Sequence, residues 1–125
     1  MAYKLGIAFS GGGLRGVAHA AVLAALAEHD LEPDCISGTS SGALVGAFYA
    51  AGHSPEDIVD FFRQRSPFRL SKISLGKPGF IDTDKIRGDL ADYFPDDRFE
   101  ALGKRLFVTA TDILAGRRWC SRPGR

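Results

Sequence analysis

Apolar positions along this chain come in short alternating runs and in longer runs that stay apolar for three turns. From Tyr3 to Ser10, Leu5, Ile7 and Phe9 alternate with Ala8 enclosed between them, which predicts a strand. From Val17 to Glu28 nearly every residue is Ala, Val or Leu, which predicts a helix buried on most sides. Leu31 to Pro33 ends that helix and returns the chain through Asp34 to a short apolar strand at Cys35-Ile36-Ser37. A tight turn, Gly38-Thr39-Ser40-Ser41-Gly42, leads into an apolar helix, Ala43 to Ala51, closed by Gly52. Strand, helix and strand form a β-α-β unit whose right-handed crossover makes the two strands parallel and neighbouring.

Beyond Gly52 the helix-start signals are strong: Ser54 as N-cap, Pro55 at the first position and Asp57 three residues after the cap. Ile58, Val59, Phe61 and Phe62 supply its apolar face, and Pro67 stops it. The stretch from Phe68 to Ile81, with its prolines, glycines and basic residues, reads as an irregular surface segment. Thr83 caps a helix to about Tyr93, Leu106 to Thr111 is a third strand, and Ala115-Gly116 is a turn. Neither an internal repeat nor a linker is visible.

Composition narrows this picture only at a few points. A length of 125 residues suits one domain, and nine Phe give it material for a core. Sixteen basic against 15 acidic residues give no global pull toward nucleic acid. Cys35 and Cys120 make no disulfide framework, Cys35 reads as a small core residue, and no metal-ligand spacing or cofactor motif survives inspection. The apolar run from Leu5 to Phe9 is too short for a signal peptide, and no stretch is long enough to span a bilayer. The expected location is therefore the cytoplasm.

Two glycine clusters carry the chemistry. G-x-S-x-G over Gly38 to Gly42, between strand and helix, is the arrangement of a nucleophile elbow. The turn demands small residues two before and two after the serine, which Gly38 and Gly42 provide. Ser40 is thus the candidate nucleophile, held at the positive end of a helix dipole. Upstream, Gly11 to Gly16 follows a strand and opens a helix as G-x-G-x-x-G, the pattern of dinucleotide sites as well. Those sites need an acidic residue at the end of the second strand, but Asp34 precedes that strand and Ser37-Gly38-Thr39-Ser40 ends it. The remaining reading is that Gly12 and Gly13, with the amide of Ser41, aim N–H groups at a developing oxyanion. Arg15 fits either an anion partner or a solvated surface charge.

Ser10-Gly11-Gly12-Gly13-Leu14-Arg15-Gly16, followed by Ile36-Ser37-Gly38-Thr39-Ser40-Ser41-Gly42-Ala43, resembles the patatin-like phospholipases, and most closely their small bacterial members. Val108-Thr109-Ala110-Thr111-Asp112 and Gly116-Arg117 also resemble that family's pattern. The resemblance covers essentially the whole chain. It implies an α/β fold, a three-layer α/β/α sandwich with a mainly parallel sheet. It further implies a serine lipid acyl hydrolase that works through an acyl-serine intermediate and a Ser–Asp dyad. By position Ser40 is the nucleophile, and Gly11, Gly12, Gly13 and Arg15 form the oxyanion and substrate-binding loop. The family's aspartate lies in a downstream Asp-Gly motif, and no Asp-Gly occurs here. Residues 1–125 therefore read as the N-terminal portion of such a domain, truncated before that motif.

Substitutes for the missing base are weak. His19 and His29 lie on the crossover helix and His53 just past the elbow helix, all in positions that suit helix-surface or capping roles. Asp112 ends a strand, where a turn or capping role is the more natural one. The last nine residues hold four arginines where the family would continue a strand, and read as a frameshifted or artificial end. The expected partner is a lipid or other acyl ester, met at a membrane surface. Truncation is expected to leave a sheet edge open for association with a second copy. The competing expectation is a non-catalytic patatin-like module that binds or regulates.

Overall fold

The computed structural model describes residues 5–65 and 83–121. Three parallel strands, β1 (Gly6–Phe9), β2 (Cys35–Gly38) and β3 (Arg105–Asp112), lie side by side, and β4 (Arg117–Cys120) returns antiparallel against β3. The helices are α1 (Ala18–Glu28), α2 (Ser41–Ala50), α3 (Pro55–Arg65) and α4 (Thr83–Ala91). This is the α/β architecture with a mainly parallel sheet, and β1, α1 and β2 form the expected parallel unit with adjacent strands. The segment read as irregular, 68–81, lies outside the described residues.

Register aligns Ile7, Ile36 and Leu106 in one row and Phe9, Gly38 and Val108 in the next, so these side chains share one face. The helices pack on that face. Val45 and Phe48 of α2, Ala20 and Leu23 of α1, and Ile58, Phe61 and Phe62 of α3 are buried with Ile36 and Leu106 in a single core. α2 lies across all three parallel strands, and Gly46 permits its close approach: a Cβ there would stand 2.8 Å from Ile36 Cγ2. Phe48 is the centre of an aromatic group, with the rings of Phe61, Tyr93 and Phe94 centred 4.7, 4.9 and 5.1 Å away.

The opposite face accounts for two departures from expectation. Ala8 is exposed and Cys35 only half-buried, because their row-mates Ser37, Arg105 and Phe107 face the side away from the helices. Of the layers implied by the resemblance, the described residues supply the sheet and one helical layer. α1 also departs from the sequence reading. Its first turn is a 3-10 segment, Gly13–Val17, and only Ala20 and Leu23 of the helix are buried, since α2 holds the central position and α1 its flank.

Helix ends follow the sequence signals closely. Gly52, at φ 93°, closes α2 while the amides of Gly52 and His53 donate to the carbonyls of Tyr49 and Phe48. At the start of α3 Ser54 Oγ accepts the amide of Asp57 at 3.1 Å, and Asp57 Oδ2 accepts the amide and hydroxyl of Ser54, each at 2.9 Å. β4 was not anticipated. It pairs Arg117–Cys120 with Asp112–Thr109, and Ser121 extends the contact by exchanging bonds with the backbone of Val108. β4 therefore covers the outer side of β3 over these residues and is itself an edge strand of the described sheet.

Phe48→Ala removes a fully buried ring from the centre of the core and is expected to cost about 3–5 kcal/mol in urea unfolding. The capping pair gives a second expectation. The amide and then the hydroxyl of Ser54 hold the Asp57 carboxyl below its ordinary range. A lowered folded value means the contribution is complete above the unfolded value and disappears as pH falls through the folded one. The stability gap between wild type and Asp57→Ala is thus expected to be constant near about pH 6 and to close in strong acid, where the carboxylate is protonated in both states.

Candidate active site

The site grows from the carboxyl end of the parallel strands. β2 ends at Gly38, and within two residues the chain has turned into α2. No side chain fits inside that turn: a Cβ on Gly38 would lie 2.5 Å from the Gly42 carbonyl oxygen, and one on Gly42 would lie 2.5 Å from the carbonyl oxygens of both Phe9 and Ser10. The G-x-S-x-G spacing is thus a packing requirement here.

Ser40 occupies the turn with φ 53° and ψ −124°, a conformation that side chains rarely adopt. It stands at the N-cap of α2, where a serine commonly caps, yet its hydroxyl makes no capping bond. The residue is exposed at the positive end of α2. Ser41 beside it is fully buried, with an Oγ that has no hydrogen-bond partner among the described residues. Gly16 makes room for that hydroxyl, since a Cβ there would sit 2.5 Å from it.

The glycine loop comes to the same place. β1 and β2 run in register to Phe9 and Gly38, and the amide of Thr39 donates to the Phe9 carbonyl at 3.2 Å. Gly11 lies directly against the serine, its would-be Cβ 3.3 Å from Ser40 Cβ and 3.9 Å from Oγ. Gly13 takes φ 57°, a value suited to glycine, as the chain enters the 3-10 turn. No main-chain hydrogen bond claims the amides of Gly12, Gly13 or Ser41 among the described residues. Arg15 is exposed, closes the turn through its amide on the Gly12 carbonyl, and has no ion pair among the described residues.

The alternative bases have other occupations. His19 Nε2 is 2.9 Å from the Ser10 carbonyl oxygen and its ring packs on Phe9, so it braces the glycine loop. His53 lies at the far end of α2, bonded to the Tyr93 carbonyl oxygen. His29 caps the end of α1. Asp112 Oδ1 accepts the amides of Leu114 and Ala115, a turn role. It also stands four residues beyond Val108, the partner of Gly38, roughly 13 Å along the strand. Asp34 Oδ2 accepts the amide of Leu5, and the residue precedes β2, at the opposite end of that strand from Ser40. No group of three His, Cys, Asp or Glu residues suited to a metal occurs among the described residues.

One contact escaped the sequence reading: the hydroxyls of Thr39 and Thr109 lie 2.5 Å apart, tying the elbow to β3. Its partners are 70 residues apart, and only the strand register brings them together. A cavity of about 470 Å³ lies along α2 on the side of Leu44, Ala47 and Ala51, walled by Leu90, Tyr93 and Leu106.

Comparison with known families assigns the chain as a whole. The family model for patatin-like phospholipases matches residues 7–123, and the chain belongs to that family. An uncharacterised NTE family protein of Mycobacterium bovis is 34% identical over 116 residues, which are 91% of this chain and 32% of the relative. A patatin-like phospholipase domain-containing protein of Caenorhabditis elegans is 30% identical over 96% of this chain and 9% of its own length. Lysophospholipase NTE1 of Candida glabrata is 39% identical over 87% of this chain and 7% of its own. The chain spans about a third, or less, of the length of these relatives.

Relief of the turn conformation should be measurable. Ser40→Gly is expected to be more stable than Ser40→Ala by about 1 kcal/mol in denaturant unfolding, because alanine keeps the strain that glycine removes. Equal stability of the two variants would mean that the turn stores no strain.

Proposed function

We propose that residues 1–125 carry the nucleophile and oxyanion half of a lipid acyl hydrolase. The observation that carries this reading is Ser40 itself, exposed, uncapped and held at φ 53° against Gly11. Membership of the patatin-like phospholipase family and similarity to proteins named lysophospholipases support a lipid ester as substrate. In this reading Ser40 Oγ attacks the ester carbonyl carbon and loses its proton to a base. The amides of Gly12, Gly13 and Ser41 receive the negative charge that develops on the carbonyl oxygen. The bond to the alcohol then breaks, the alcohol leaves with a proton, and water later releases the acyl group from Ser40. Arg15 lies on the loop where an anionic head group would be met.

In this reading the base is the aspartate of the Ser–Asp dyad that the resemblance implies, and its Asp-Gly motif does not occur in these 125 residues. Without a base a serine hydroxyl is a weak nucleophile. A second reading, a non-catalytic binding or regulatory module, is favoured by one observation: no carboxylate or imidazole bonds to Ser40 Oγ among the described residues. Either reading permits self-association through the edge strands of the described sheet, β1 and β4.

A fluorophosphonate probe is expected to label Ser40 of this chain only slowly, as befits a serine without its base, and to leave Ser40→Ala unlabelled. Turnover of a short-chain nitrophenyl ester by this chain alone should be trace at most. Labelling that survives Ser40→Ala would overturn the nucleophile assignment. Robust turnover abolished by Ser40→Ala would instead place a base within these residues.

A further inference from the structure

The β3–β4 hairpin presents its apolar residues outward. Ile113 is 86% exposed, Leu114 96% and Trp119 53%. Isolated apolar residues on a surface are ordinary, but three large ones within seven positions of one projecting hairpin are not. The tip is also held in shape. Asp112 Oδ1 takes the amides of Leu114 and Ala115, Gly116 turns at φ 62°, and the strand pairs from Asp112 and Arg117 to Thr109 and Cys120 clamp the base. The hairpin tip is therefore a defined shape that carries Ile113 and Leu114 outward.

Charge gathers at the same place. Arg117 and Arg118 are exposed on β4, alternate strand positions put them on opposite faces, and neither has an ion pair among the described residues. From Asp112 to Arg125 the sequence holds four arginines against one aspartate, whereas the whole chain carries a net charge of only +1. Direction adds the third element. β3 runs parallel to β2, so the hairpin leaves the sheet at the end where Ser40 stands.

We propose that the β3–β4 hairpin docks on an anionic phospholipid surface, with Ile113 and Leu114 entering the acyl region, Trp119 at the interface and Arg117 and Arg118 on the lipid phosphates. Aliphatic tip, tryptophan and flanking arginines match the successive depths of a bilayer surface. A nucleic acid would engage the arginines but leave Ile113 and Leu114 in water. Docking in this pose turns the Ser40 end of the sheet toward the membrane. The surface stands on its own geometry, and its test reads binding, so the outcome is separate from the reading of Ser40.

Trp119 is the only tryptophan, so its fluorescence reports on the hairpin alone. The 125-residue chain is mixed with vesicles of phosphatidylcholine and of an equimolar phosphatidylcholine–phosphatidylglycerol mixture, and emission and co-sedimentation are recorded. A blue shift and pelleting with the anionic vesicles are expected, with much weaker binding to phosphatidylcholine and loss in high salt. Leu114→Asp, at a position that touches no core, should abolish both signals, and Arg118→Glu should weaken binding about tenfold. Unchanged emission and no pelleting on anionic vesicles would overturn the proposal, as would wild-type binding by Leu114→Asp. A blue shift that grows with protein concentration and needs no vesicles would overturn it in favour of a second copy of the chain.

Discussion

Everything at the carboxyl end of the sheet depends on one close contact between backbones. Gly42 lies so near the carbonyls of Phe9 and Ser10, and Gly38 so near Gly42, that neither position has room for a methyl group. This contact brings α2 down onto the ends of β1 and β2 and forces the chain between them through the strained conformation of Ser40. It also sets the glycine loop beside the serine, because the loop leaves β1 at the carbonyls on which Gly42 rests. Loss of either glycine would separate strand, loop and helix together.

The core follows from the same placement. With α2 pressed against Ile36 and Leu106 through Gly46, Val45 and Phe48 fall at the centre, and α1 and α3 pack beside them. The apolar composition of α1 suggested a helix enclosed on most sides, but composition does not say which of two apolar helices takes the middle. Small residues decide it here: Gly42 and Gly46 let α2 come nearer the sheet than α1 can.

The elbow and the glycine loop were legible because glycines at fixed spacing report a steric need directly. The helix starts and stops at Gly52, Ser54 and Asp57 were legible for a like reason, since each is a local hydrogen-bonding device. β4 was not. Arg117-Arg118-Trp119-Cys120 is exposed on both sides and carries no alternation of apolar and polar residues, so only its ladder with β3 makes it a strand. Ala8 and Cys35 misled for the converse reason: they are apolar in composition but belong to the face away from the helices. The brace from His19 to Ser10 and the hydroxyl pair of Thr39 and Thr109 are properties of register and packing, which no short stretch of sequence encodes.

The hydroxyl pair has a consequence for the order in which the molecule is built. β1, the glycine loop, α1 and β2 lie within the first 38 residues, so the two strands can pair soon after this stretch leaves a ribosome. β3 follows some 70 residues after its partner and must close a large loop against chain entropy before Leu106 and Thr109 reach their places. Until then Ile36 and Gly46 face an unfilled gap and Thr39 has no hydroxyl to meet. The serine turn is thus assembled early as a local shape, while its anchoring to the far side of the sheet belongs to a later, long-range step of folding.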